Sequence, residues 1–423
     1  MTTTGISPAS ASVSVSATSG KPAHRDGNVL RWLGAYTSSM MGDNVCYIAL
    51  SWAAVQAGTP AQAGLVMAVS AIPRALLMLG GGVVADRFGP RKVVIGSDAV
   101  RCVAVLTLAA VLFATSPSLW LLAVLATVFG IVDALFMPAV GALPARVTSR
   151  DQLARVQGMR GLAIRFANVV GAPLGGLGVA LGGSAAAFGL AGMLIAVSVP
   201  LLISVRMREL PADDAPDQAG GTAWRDLRDG LCYLRGHRVL APLIVAIALG
   251  DLGFVGPLNV GLTLLADRRG WGASGMGWVV AAFGTGAGAA ALLLTLRGRL
   301  PRAGSLAAVT ILGGSVAIGA LAYVPGVAGA VGVALVLGLL AGLSGALCGA
   351  LLQTQADPAY LGRVSAVAGL VSLGLAPLSM PLTAAAIGWW GTGPVFVTSA
   401  AVCGLGGVLA LCVRDLRRAE LPR

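Results

Sequence analysis

Gly82-Val83-Val84-Ala85-Asp86-Arg87-Phe88-Gly89-Pro90-Arg91-Lys92 is a dense run of charge in a 423-residue chain of which only 11% is charged. Apolar runs flank it, each long enough to cross a bilayer core, which takes about 20 residues per helix. Its position between them predicts a short charged turn at a membrane surface. The rest of the chain agrees: with 57% hydrophobic residues and a mean hydropathy of +0.85, it carries more apolar surface than one soluble core can hide. Twelve spans can be cut from it, at 29–56, 61–83, 93–114, 119–140, 159–182, 185–205, 239–264, 274–296, 304–323, 327–352, 365–387 and 394–413.

The net charge of +12 would suggest a nucleic-acid partner in a soluble protein. Here the bases follow the loops instead, and no nucleic acid is expected. Arg25 and Arg31 precede the first span, and Arg87, Arg91 and Lys92 follow the second. Arg146, Arg150 and Arg155 follow the fourth, Arg206 to Arg238 the sixth, Arg297 to Arg302 the eighth, Arg363 the tenth and Arg414 to Arg418 the twelfth. The opposite loops hold only Arg268 and Arg269. By the positive-inside rule both termini are expected in the cytoplasm. Trp120, Trp271, Trp389 and Trp390 at outer ends and Trp32 at an inner one are expected to anchor the helices at the interfaces.

The chain divides into a polar tail (1–28) that reads as disordered, a first set of six spans (29–207), a linker (208–238), a second set (239–413) and a basic tail (414–423). Within the linker, Leu227, Leu231 and Leu234 against Arg225, Arg228 and Asp229 predict an amphipathic helix on the membrane surface. The halves echo each other near an offset of 208 residues: Gly42-Asp43 matches Gly250-Asp251, and Arg155-Val156 matches Arg363-Val364. Leu296-Arg297-Gly298-Arg299-Leu300-Pro301-Arg302 stands where a second charged turn would be, without the Asp-Arg pair. Such a repeat predicts two bundles with a substrate site between them near the midplane.

Three acids fall near the centres of spans: Asp43, Asp133 and Asp251. A mid-membrane carboxylate costs about 2.5–3.5 kcal/mol on insertion scales, so each is expected to face a partner or a watery cavity. At helical spacing Asp43 shares a face with Tyr36, Met40, Tyr47 and Ser51, and Asp251 with Phe254, Val255 and Asn259; both read as cavity walls. Burial raises a carboxylate's affinity for protons. Asp43 is therefore the first choice for proton coupling or substrate contact, a structural partnership with a neighbouring helix being the alternative. Arg74, Asp98 and Arg101 read as a separate cluster nearer the ends of spans two and three. Asp98 and Arg101, three apart, pair on one helix face, and Arg74 either joins that structural network or contacts an anionic group. The six cysteines have neither disulfide nor metal spacing, both histidines lie outside the spans, and no phosphate-binding loop occurs. No metal, cofactor or enzymatic activity is expected, and the energy source is expected to be a gradient.

The opening stretch resembles the loop signature of the major facilitator superfamily: Gly, three residues, Asp-Arg, one residue, Gly, one residue, two bases. Pro90 is its one departure. The resemblance implies an all-α integral membrane protein of twelve transmembrane helices in two pseudo-symmetric six-helix bundles. It assigns a gating lock to Gly82, Asp86, Arg87, Gly89, Arg91 and Lys92. Gly171-Ala172-Pro173-Leu174-Gly175-Gly176 resembles the antiporter motif of exporters, with the proline displaced by one, and the texture after span four and before span seven resembles the branch of macrolide and siderophore efflux proteins. The expectation is a monomeric, proton-driven antiporter of the cell membrane exporting a small amphipathic compound. An importer or dedicated metabolite carrier of the same fold, or a non-transporting sensor on that scaffold, are the alternatives.

Overall fold

The computed structural model describes residues 25–148, 152–207, 223–297, 302–357 and 360–420, and among them every regular element is helical. In order these are α1 (Gly27–Ala57), α2 (Pro60–Val69), α3 (Ala71–Phe88), α4 (Pro90–Ala114), α5 (Leu119–Val147), α6 (Leu153–Ser204), α7 (Ala223–Gly236) and α8 (Leu240–Gly256). A π-helical turn, Pro257–Gly261, leads into α9 (Leu262–Arg268), followed by α10 (Gly272–Arg297), α11 (Ala303–Leu321), α12 (Val327–Gln355), α13 (Leu361–Trp390), α14 (Thr392–Cys412) and α15 (Arg414–Arg417). Eight stretches among the described residues are long and apolar enough to cross a membrane. Most of residues 1–28, much of the linker (208–222), residues 298–301 of the second loop and Arg150 lie outside the described residues.

Local chemistry sets the breaks. Asp26 caps α1 by accepting the Asn28 backbone N–H at 2.8 Å. Thr59 and Gln62 form a reciprocal capping box, with Pro60 at the first helical position of α2; this satisfies donors the first turn leaves orphaned. The expected charged turn is far shorter than its sequence suggests. α3 continues through Asp86 and Arg87 to Phe88, and the chain reverses at Gly89 alone, whose φ of 84° only glycine adopts without strain. Spans five and six form one 52-residue helical stretch that bends at Gly182 and Gly183. Pro257 lacks an N–H, and the next turn widens so that Leu262 N–H reaches the Pro257 carbonyl, an i to i+5 bond.

Two expected interfacial anchors are corrected. Trp32 is fully buried beneath α4 to α6 side chains, and Trp271 is 9% exposed. Trp120, Trp389 and Trp390 are exposed as anchors should be.

Small residues let helices approach closely where lipid gives no hydrophobic drive between them. The first half of α6 lies on α1, and a Cβ on Gly171 would come within 2.8 Å of Asn44 Cβ. The antiporter-like motif also faces α10: a Cβ on Gly277 would sit 2.7 Å from the Ala172 carbonyl oxygen and 3.2 Å from Pro173 Cα, and Gly176 abuts Ala273 and Ser274. Thus α6 meets α10, α2 meets α13, and α1 meets α9. These contacts between the two halves gather toward the end that carries residues 57–60, 268–272 and 390–392. The helix α7 docks on the opposite end, where Tyr233 stacks on Tyr360 with ring centroids 4.5 Å apart and accepts the Asp357 N–H at 3.2 Å.

Candidate functional site

Arg101, on α4, is fully buried at the centre of a charge network. Its Nη2 donates to Asp98 Oδ1 at 2.6 Å, and its Nη1 donates to Asp43 Oδ2 at 2.8 Å and Asp133 Oδ1 at 3.5 Å. The guanidinium lies 4.1 Å from the Phe136 ring centroid, a cation–π contact on a face with no hydrogen-bond direction. Asp98, also buried, accepts from Ser39 at 3.0 Å and from Ser198 at 2.5 Å. Arg74 on α3 reaches Asp133 at 4.0 Å. The two clusters expected from the sequence are therefore one: the arginine read as a structural partner of Asp98 is also the partner of Asp43. The reason is tertiary, since α1, α4 and α5 each present one acid to the same point.

Three carboxylates against two guanidinium groups leave one negative charge. That excess borders a cavity of about 410 Å³ lined by Asp43, Asp133, Arg74, Asn44, Tyr47 and Asn259 together with apolar Met40, Met67, Phe129 and Met380. Asp43 is 23% exposed, so it bridges buried network and cavity. Its second oxygen, Oδ1, is buried with no hydrogen-bond partner among the described residues. Leaving a buried polar atom bare in this way costs about 1–3 kcal/mol or more.

The cavity is closed at one end by hydrogen bonds between the halves. Tyr47 Oη donates to Asn259 Oδ1 at 2.5 Å, Ser51 and Thr263 hydroxyls lie 2.6 Å apart, and Gln56 donates to Asp267 at 2.9 Å. Spaced by about one turn along α1 and the π turn with α9, they form a three-rung ladder ascending from the cavity. Sequence reasoning placed Tyr47 and Asn259 but gave no pairing between them. It missed Asn44, which donates to Asn168 at 3.1 Å; lying one residue from Asp43, Asn44 was findable. Ser198 and Met380, brought in from distant helices, were not.

Other expected wall residues fall elsewhere. Tyr36 is buried against Trp32, centroids 6.0 Å apart, with the Arg160 guanidinium 5.2 Å from its ring. It does not line the cavity. Asp251 and Phe254 line a second cavity, separate from the one Asn259 faces; at about 100° per residue Phe254 and Asn259 stand about 140° apart around the helix. At the charged turn, Arg91 donates to the Ile203 carbonyl, tying α4 to the end of α6. Arg87 is exposed and Lys92 is exposed, while the Asp86 and Gly82 side-chain positions lie outside the described residues.

A helical scaffold with a buried charge network beside a central cavity is that of a membrane transporter, and comparison with known proteins agrees. Residues 32–376 match the family model of the Major Facilitator Superfamily, and the chain belongs to that superfamily: it is a multi-pass membrane transporter rather than an enzyme. It is 30% identical over 349 residues to the enterobactin exporter EntS of Shigella boydii, covering 81% of this chain and 80% of the relative. The EntS proteins of several Escherichia coli strains match equally. Among solved structures, a point mutant of the nucleoside transporter NupG superposes with a TM-score of 0.71 at 14% identity, covering 92% of this chain and all of that one. A bacterial homologue of the lysosomal transporter Spinster, in an inward-facing and unoccupied conformation, gives 0.64 at 14% identity over 94% and 97% of the two chains. These likenesses show the fold.

Proposed function

We propose that this protein is a twelve-crossing, proton-coupled exporter of a small amphipathic compound, of the siderophore or antibiotic kind, working by alternating access. Twelve crossings follow if the bent α6 crosses twice and α1, the α2–α3 pair and α13 each cross once beside the remaining helices. The two sets of six form the two bundles, 29–207 and 239–413, joined by the linker 208–238, with both termini in the cytoplasm. The end closed by the Tyr47–Asn259 ladder is then the outer one, and the molecule stands inward-open. Kinship to exporters of enterobactin supports the direction. The cavity's mixture of Met and Phe surface with Asn, Tyr and Arg groups supports an amphipathic load.

The observation that carries the coupling is the bare Oδ1 of Asp43 beside an excess negative charge. A proton there neutralises the excess and loosens Asp43 from Arg101; Arg101 keeps Asp98 and Asp133. Deprotonation restores the pair. Arg74, 37% exposed and only loosely held by Asp133, is the contact for an anionic group on the substrate. Gly82, Asp86, Arg87, Gly89, Arg91 and Lys92 act at the cytoplasmic ends as the lock of the outward-facing state. Gly171, Pro173, Gly175 and Gly176 give the packing surface on which α6 meets α1 and α10. One chain contains every group in this scheme, so a monomer suffices.

The test is efflux of a siderophore and an antibiotic panel from cells, wild type beside Asp43→Asn, with and without an uncoupler. Export abolished by both the uncoupler and the substitution is expected. Export unaffected by either removes proton coupling through Asp43, and accumulation raised by the protein reverses the direction.

A further inference from the structure

The second cavity, about 380 Å³, lies within the second half of the chain, among α8, α11, α12, α13 and α14. Its one charged lining group is Asp251, which accepts from Ser372 Oγ at 2.5 Å. Among the described residues no Arg, Lys or His comes within ion-pair distance of it. The nearby hydroxyls are committed to their own helices, Thr310 to the Leu306 carbonyl at 2.9 Å and Ser344 to that of Ala341 at 3.0 Å. The other walls are apolar: Phe254, Ile247, Ile311, Ile318, Leu337 and Leu352. A carboxylate facing an apolar chamber in a membrane is costly without a counter-charge.

We propose that this chamber is a second binding site, distinct from the Asp43 cavity, for an organic monocation with an apolar body, held by Asp251. Size and chemistry both select that class. Calcium and magnesium take about six or more oxygen ligands, which one carboxylate and one serine hydroxyl do not supply, and among the described residues no group of three His, Cys, Asp or Glu is placed to hold a metal ion. A proton alone leaves the chamber's volume unexplained, whereas small-molecule sites span about 300–1,000 Å³ with mostly apolar linings and few polar groups. Phe254 adds an aromatic face for the cation. The site does not depend on the direction of transport or on the coupling role of Asp43.

The experiment is saturable binding of radiolabelled benzyltrimethylammonium to the purified full-length protein in nanodiscs, at constant pH. Its permanent charge separates it from protons, and neopentylbenzene is its neutral isostere. Asp251→Asn is expected to weaken binding by at least about tenfold, the factor one charge-assisted contact supplies. Asp43→Asn is expected to change it by less than about twofold, because its carboxylate is outside the chamber. The contrast between the two substitutions reports which chamber fills. Absence of saturable binding, equal competition by neopentylbenzene, binding weakened as much by Asp43→Asn as by Asp251→Asn, or binding indifferent to Asp251→Asn would each overturn the proposal.

Discussion

Asp43 and Asp251 occupy matching places in the two halves of the chain, each preceded by glycine and 208 residues apart, yet the protein treats them oppositely. Asp43 meets Arg101, which is shared with Asp98 and Asp133, and borders the cavity at the junction of the halves. Asp251 meets one serine and faces a chamber inside its own half. The repeat has kept the acid and dropped the base: the position matching Arg101 at the same offset is Val309. Matching positions in the sequence therefore need not share an environment, and the neighbouring helices decide whether a carboxylate joins a charge network or stands alone.

The contrast can be broken most forcefully at its hub. Arg101→Leu leaves three carboxylates around an apolar side chain, and removing one partner of a buried pair costs about 3–5 kcal/mol. A severe fall in thermal stability in detergent, or in folded yield, is expected. Arg101→Lys should recover part of it, because one ammonium replaces the charge but not the fork that spans Asp98 and Asp43. If Arg101→Leu unfolds at the wild-type temperature, the network is not the centre of the first half.

A smaller effect is expected at the ladder. Tyr47→Phe removes the hydrogen bond to Asn259 without removing the ring, a loss of about 0.5–1.5 kcal/mol. The equilibrium should shift toward separation of the halves at that end by about two- to thirteenfold. Distance distributions between spin labels at Ala61 and Trp389 should gain a longer component. An unchanged distribution would mean that the close approach of α6 and α10, rather than the ladder, holds that end shut.

The smallest effect on stability belongs to the lone acid. Asp251→Asn keeps the shape and can still accept from Ser372, so unfolding should shift by less than about 1 kcal/mol, and the change should be favourable if the charge is uncompensated. A loss as large as that of Arg101→Leu would reveal a partner for Asp251 and end the contrast between the two halves. Ser39→Ala and Ser198→Ala probe the other side of it: each removes one donor from Asp98 and should cost about 1–3 kcal/mol, read from the same unfolding curves.

Much of this molecule was legible in order of residues. The apolar runs located nearly all the long helices to within a few residues, because length in a membrane is set by bilayer thickness. The scarcity of charge in the spans singled out Asp43, Asp133, Asp251, Arg74, Asp98 and Arg101, and all of these but Asp251 converge. Less legible was which cavity or neighbouring helix each side chain faces. Asp251 and Phe254 face one cavity and Asn259 the other, since the five residues from Phe254 to Asn259 already set those two about 140° apart around a helix. Tyr36 and Trp32 likewise turned inward, because an aromatic residue near a helix end finds either an interface or a neighbouring helix, and sequence periodicity does not distinguish them.

The sequence by itself determined the solvent this protein must live in, the superfamily signature, the positions of its helices and the identity of every charge inside them. Those follow from transfer energies and local backbone rules, which act residue by residue. Only the tertiary structure decided that Arg101 serves Asp43 as well as Asp98, that Tyr47 meets Asn259 across the two halves, and that the repeated acids occupy different chambers. Such pairings depend on which helices come within a few ångströms of one another, and that is settled by the fit of small residues such as Gly171 and Gly277 against distant backbone.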